Sequence, residues 1–245
     1  MELDLQKILN VAQNYKDNNV LNYVRKEGII ISEEALSHLP ELHALVTDDS
    51  GQFIVRSYEE VERFSCQTIM AFCVTYGIYC FPTKELIDFL RGIIHDSKVI
   101  EVGSGNGIIS RELGIKGTDN FEQRGSRADL YEVMHQKPVT YGKHVEFYDA
   151  IDAVRRYKPD TVIASWLTHQ YNPNERSRGG NMTGPKEEKI LERVKTYIFV
   201  GNDKVHSSKP IYALPHETIK EPWLLSRTLD QSLNSIYIWR GGKTR

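Results

Sequence analysis

The sequence predicts an α/β fold: a mostly parallel sheet of about seven strands with helices on both faces, preceded by an α-helical N-terminal region. Three observations carry that prediction. From Lys84 onward, short apolar runs alternate with stretches whose apolar residues recur at one-turn spacing, the order that builds a sheet covered by helices. The run Val99, Ile100, Val102 leads through Gly103, Gly105 and Gly107 into Ile108, Ile109 and Leu113, so strand, glycine turn and helix follow within sixteen residues. A chain of 245 residues with 40% hydrophobic content can also supply a core for one large domain, or a domain plus an extension. Residues 1–81 are read as the helical region and 82–245 as the α/β domain.

In chain order, Leu5, Ile8, Leu9 and Ala12 have helical spacing within Met1 to about Tyr23, and Ser32 can cap a second amphipathic piece beginning Glu33-Glu34-Ala35-Leu36. Thr47-Asp-Asp-Ser-Gly51 reads as a turn. Ser57-Tyr-Glu-Glu60 has the spacing of a capping box, and a long helix to about Tyr79 is expected after it, ended by Pro82. On that helix Cys66, Cys73 and Cys80 recur every seven residues, roughly 10 Å apart, too far for a disulfide or a shared metal. They are read as small core residues. Thr83 can cap a helix from Lys84 to about Ile94 whose Leu86, Leu90 and Ile93 share a face.

The segment from Asn120 to Gly142 shows no clean period and is read as a loop with a short helix around Ala128 to His135. Val145 to Asp149 alternates like a strand, a helix-like Ala153-Val154 follows, and Asp160 to Trp166 suits a central buried strand. Asn172 to Lys186, rich in Asn, Arg, Gly and Pro, is the expected mobile loop. A helix over Lys186–Val194 and strands over Thr196–Asn202 and Asn234–Arg240 complete the order.

Net charge is −2 and the isoelectric point is near 6.5, so no global field draws the chain to nucleic acid or to an acidic membrane. No apolar run is long enough to span a bilayer, and Met-Glu-Leu-Asp-Leu-Gln-Lys is too polar for a signal sequence; the expectation is a cytoplasmic protein.

The chemistry concentrates at the glycine turn. Glycines at 103, 105 and 107 allow a sharp turn and close approach of main chain to a ligand, the following helix N-terminus favours an anionic or polar group, and a carboxylate after the next strand can accept both hydroxyls of a ribose. The implied ligand is a nucleoside-containing cofactor. Dinucleotide turns carry Gly-x-Gly-x-x-Gly, whereas here the third glycine comes one residue early, with Glu101 two residues ahead. Glu101-Val-Gly-Ser-Gly-Asn-Gly107 resembles motif I of the class I S-adenosylmethionine-dependent methyltransferases, and Asp119 falls where that superfamily places the acid ending its second strand. Together with Pro82-Thr-Lys-Glu-Leu86, Tyr157 to His169 and Ser226-Arg227, the pattern looks like a group of bacterial and phage methyltransferase-like proteins. That likeness covers roughly Pro82 to the C-terminus and brings no known substrate.

The resemblance implies a Rossmann-like fold and S-adenosylmethionine as cofactor. Glu101, Gly103, Ser104, Gly105, Asn106 and Gly107 would hold its methionine part, and Asp119 with Asn120 the ribose. Asp149 and Ala150 would meet the adenine, with Asp152 serving instead if the strand boundary slips, and Ser165 begins the side facing the acceptor. There Trp166 and His169 are the candidate catalytic residues, His169 as a base if the acceptor must lose a proton. His169, Asp203 and His206 match no recognised metal-ligand spacing, and no metal site is expected. Ser165-Trp-Leu-Thr168 departs from the Asn-Pro-Pro-Tyr or Asp-Pro-Pro-Tyr of adenine-N6 enzymes, which weakens that reading. Methylation at cytosine C5 is excluded, since all three cysteines precede the turn and none adjoins a proline. The acceptor stays open among small molecules, nucleic acid (not favoured by charge) and protein. A nucleoside-binding module without transferase activity is the alternative, with an NAD-binding protein behind it.

Overall fold

The computed structural model describes residues 31–95, 97–124, 131 and 137–241. The expected helix before Tyr23, and the one around Ala128 to His135 apart from Tyr131, lie outside the described residues.

Two short helices open the described chain, α1 (Glu33–Ser37) and α2 (Leu39–Val46); the Ser32 side chain accepts from Ala35 N–H at 3.1 Å and so caps α1. The capping box at Ser57 and Glu60 forms, but the long helix expected after it does not. Helix α3 (Tyr58–Val61) stops after one turn, and Ser65, extended at ψ 155°, starts a new helix, α4 (Cys66–Tyr76), by accepting from Thr68 N–H. Gly77, left-handed at φ 65°, ends α4 ahead of Pro82. Cys80 therefore lies on strand β1 (Cys80–Phe81) and not on the helix with Cys66 and Cys73. All three thiols are free.

Helix α5 (Lys84–Ile94) is capped by Thr83 as the sequence predicts. Then come β2 (Val99–Val102), α6 (Ile108–Leu113), β3 (Lys116–Asp119), β4 (Glu146–Phe147), α7 (Ala150–Tyr157), β5 (Thr161–Ser165), α8 (Glu187–Leu191), β6 (Thr196–Asn202), β7 (Glu217–Ile219), β8 (Leu225–Ser226) and β9 (Asn234–Arg240). Seven strands form one sheet in the order β4-β3-β2-β5-β6-β9-β7, and β1 pairs with β8 in a separate two-stranded ribbon. Strands β2 to β6 run parallel, whereas β9 is antiparallel to both β6 and β7. The fold is the Rossmann-like α/β arrangement expected. From β2 the chain winds outward to β3 and β4, then returns to β5 on the other side of β2, so the strand order reverses between β2 and β5. That reversal opens a crevice at the carboxyl ends of the strands.

Alternation along the strands feeds two cores. On β6, Ile198 and Val200 pack with Leu86, Leu90 and Ile109 on one face, while Tyr197 and Phe199 pack with Ala153, Val154 and Ile190 on the other. Helices α5 and α6 thus cover one face and α7 and α8 the other. The N-terminal helices make a third core in which Leu42, Phe64, Ile69 and Phe72 meet Phe81, Ile108 and Leu225. The boundary drawn at 81/82 marks no gap in packing: β1 pairs across it, and Ile108 at the start of the glycine-turn helix is buried against the helical region.

Candidate functional site

A cavity of about 640 Å³ lies in the crevice between β2 and β5. Its wall includes Glu101, Gly103, Ser104, Gly105, Asn106, Asp119 and Asn120 from the β2 and β3 ends, Asp149, Ala150 and Asp152 after β4, and Ser165, Trp166, Leu167 and Thr168 after β5. Almost every residue singled out in the sequence comes to this one wall. Gly107 and His169 do not.

Glu101 is buried in the floor. Its carboxylate accepts from Ser110 N–H at 3.0 Å, and burial pushes its carboxyl up to about 7. Asp119 accepts from Gly105 N–H at 2.9 Å through one oxygen and from Phe121 N–H at 2.8 Å through the other. Burial raises its pKa, while those two N–H groups pull it down. Each oxygen keeps a second lone pair, so a pair of vicinal hydroxyls can still be accepted.

The glycine turn works differently from the sequence expectation. Gly103, Gly105 and Gly107 all have positive φ, and the space a Cβ would take is filled by the chain itself: a Cβ at 103 would stand 2.6 Å from Leu167 Cδ1, one at 105 would stand 3.2 Å from Val139 Cγ1, and one at 107 would stand 2.6 Å from both His144 Nε2 and Val145 Cγ2. Gly107 is therefore a packing residue and the N-cap of α6. The helix terminus is also largely occupied, since Asn106 accepts from Ile108 N–H and Glu101 from Ser110 N–H. What reaches the cavity is main chain from 103 to 106, not an open ring of helix N–H donors.

Asp149 is the N-cap residue of α7 without a hydrogen bond from its side chain, whereas Asp152 is ion-paired with Arg155 at 3.0 Å. Trp166 adopts φ 54°, a costly conformation for a bulky residue and one associated with functional sites. Its ring lies 6.1 Å from that of Tyr79 and edge-on to His206 at 5.0 Å. His169 is buried off the cavity wall with Nε2 unpartnered; burial and then Lys209 lower its pKa. The base role expected for His169 has no geometric support. Among the described residues no three His, Cys, Asp or Glu side chains cluster to hold a metal ion, and no helix is long and apolar enough to cross a membrane.

Two features escaped the sequence. The 166–186 connection is strapped over the cavity: Asn181 and Thr183 side chains donate to Glu122, and Asn120 Nδ2 donates to Thr183 O at 3.3 Å. Its inner end is thus cavity wall, and the run 172–180 at its tip is exposed throughout. The second is the segment 137–142, whose Val139 covers Gly105 and whose Tyr141 hydroxyl accepts from Gln123 N–H. Long-range side-chain bonds of this kind leave no local spacing to read.

Fold and site together define a Rossmann-like α/β protein with a cavity at its strand-order reversal. No protein-family model and no curated protein matches the sequence. Among solved structures it is similar to a proposed S-adenosylmethionine-dependent methyltransferase from Streptococcus mutans (11% identity, TM-score 0.34, 62% of this chain and 46% of that one). It is similar also to a Pyrococcus abyssi tRNA (uracil-54, C5)-methyltransferase in complex with S-adenosyl-L-homocysteine (15%, 0.34, 63% and 36%) and to a proposed class I methyltransferase from Listeria monocytogenes (14%, 0.41, 94% and 87%). The chain spans less than half the length of the first two.

Proposed function

We propose that this protein is an S-adenosylmethionine-dependent methyltransferase. The observation that carries the reading is the single cavity joining the glycine turn, Asp119, Asp149 and the residues after β5. Asp119 would accept the ribose hydroxyls, Glu101 and the main chain at Gly103 to Asn106 would hold the methionine part, and Asp149 with Ala150 would face the adenine. When bound, the cofactor supplies a methyl group already activated by positive sulfur. Alignment and exclusion of water are then the main tasks left to the protein. Trp166, Leu167 and Thr168 form the wall on which an acceptor would be aligned, and the strap tied to Glu122 keeps water out.

The same cavity suits a nucleoside-binding module with no transferase activity. Both readings expect S-adenosylhomocysteine to raise the melting temperature, by about 2.7 kcal/mol of stability at a hundred times Kd. Only the enzyme releases S-adenosylhomocysteine from S-adenosylmethionine when offered RNA, DNA, protein or small-molecule extracts. Release with none of the four favours the module, and stabilisation by NAD in place of S-adenosylhomocysteine refutes both.

A further inference from the structure

The cavity does not end at Asp149. It continues along the outside of α7 and α8, where its wall is formed by Arg155 on α7 and by Lys186, Lys189 and Arg193 on and around α8. Lys186 is the N-cap residue of α8, Lys189 lies within the helix and Arg193 stands two residues past its end, and all three side chains border the same cavity. The opposite side of each helix is fixed: Ala153 and Val154 of α7 and Ile190 of α8 are buried together in one core, so the two helices lie side by side with their charged sides free to border the cavity. Two carboxylates neutralise part of this charge, Asp152 on Arg155 at 3.0 Å and Glu192 on Lys189 at 2.8 Å and Arg193 at 3.6 Å. Among the described residues Lys186 has no carboxylate within ion-pair distance. Four cations against two acids leave a surplus of about two positive charges, which matches one phosphate group.

The charge is divided along the cavity. Its inner end, at Glu101, Asp119 and Asp149, is lined by carboxylates and suits hydroxyls and amines. The outer end between α7 and α8 is cationic. The cofactor's one anionic group is the carboxylate of its methionine part, which in that reading lies at the glycine turn and leaves the outer wall without an anion to neutralise. From this division we propose that the outer wall binds a phosphate group carried by the methyl acceptor, an inference that rests on the methyltransferase reading above. Lys186 and Lys189 hold the phosphate, and Arg155 and Arg193 close the groove around it. The phosphate source is either a monoester on a small molecule or a phosphodiester in nucleic acid.

Calorimetric titration of the full chain with pyrophosphate, with and without saturating S-adenosylhomocysteine, tests this. Pyrophosphate is expected to bind in both conditions, and the Lys186→Gln, Lys189→Gln double variant is expected to lose at least tenfold in affinity. S-adenosylhomocysteine affinity should change less than twofold in that variant, which also shows that it folds. A single-stranded oligonucleotide without terminal phosphates separates the sources: tighter binding than pyrophosphate, lost in the same variant, assigns the groove to a phosphodiester backbone, and binding no tighter assigns it to a monoester. Competition between pyrophosphate and S-adenosylhomocysteine overturns the proposal, as does equal pyrophosphate affinity in wild type and variant. Failure of the wild type to bind S-adenosylhomocysteine instead overturns the methyltransferase reading beneath it.

Discussion

Asp119→Ala tests the site and the fold in one variant. The carboxylate serves two partly buried backbone donors, Gly105 N–H at 2.9 Å and Phe121 N–H at 2.8 Å, and Asp119 is 9% exposed. A hydrogen bond to a charged group contributes about 1.5–3 kcal/mol, so loss of two would cost roughly 3–6 kcal/mol. Part of that is regained, because the raised pKa shows that burying this charge is itself unfavourable. A net loss of about 2–4 kcal/mol in urea unfolding is expected. Asp119→Asn, which keeps one carbonyl acceptor, should lose about half as much. If Asp119 also takes the ribose hydroxyls, S-adenosylhomocysteine binding by Asp119→Ala falls about 10- to 100-fold, or roughly 1.4–2.8 kcal/mol. Measured below the unfolding transition, unchanged affinity would remove Asp119 from the ligand site while leaving it a structural clasp. Unchanged stability would falsify the two-bond arithmetic itself.

Three further outcomes follow from the same geometry. Gly107→Ala should destabilise by about 2–4 kcal/mol, because its Cβ meets His144 and Val145 at 2.6 Å in a left-handed backbone, whereas Gly114→Ala, at φ 67° with open space, should cost only about 1 kcal/mol; equal effects in thermal melts would show that packing at 107 is irrelevant. Glu101 has a folded-state pKa of about 7 against 4.5 when unfolded, so the folded chain holds the extra proton and stability falls as pH rises from about 4.5 to 7. Glu101→Gln should remove part of that fall, on the order of 2–3 kcal/mol across the range, and a parallel pH–stability curve would contradict it. Lys209 and Glu187 form a buried ion pair at 2.5 Å, with the Tyr197 hydroxyl donating to the same carboxylate at 2.6 Å. Lys209→Met alone should cost about 3–5 kcal/mol by stranding that carboxylate, while Lys209→Met with Glu187→Leu should recover most of it.

Local pattern was enough for the sheet and for the residues around its central turn. Val99 to Val102, Thr161 to Ser165 and Thr196 to Asn202 alternate or run apolar because each strand is buried on both faces, and Thr83, Ser32 and the Ser57–Glu60 box cap helices through contacts within three residues. Helix length was less legible. Ser65 could either continue α4 backward or begin it, and only its packing beside Thr68, itself bonded to Ala35 O, fixed the break. The lone antiparallel strand β9 carries the same apolar alternation as a parallel one, so its direction and the pairing with β7 were decided by the chain's return path.

Spacing in the sequence by itself determined that Glu101, the three glycines and Asp119 belong to one strand-turn-helix-strand unit, since bonds between neighbours in the chain follow from residue type. The tertiary structure alone decided what stands around that unit. It put Leu167 and Val139 in the space beside Gly103 and Gly105, drew Asn181 and Thr183 to Glu122, buried His169 away from the cavity and set Lys186 and Lys189 along its outer wall. Those contacts join residues tens of positions apart, and their energies depend on distances that exist only once the sheet has brought its strand ends together.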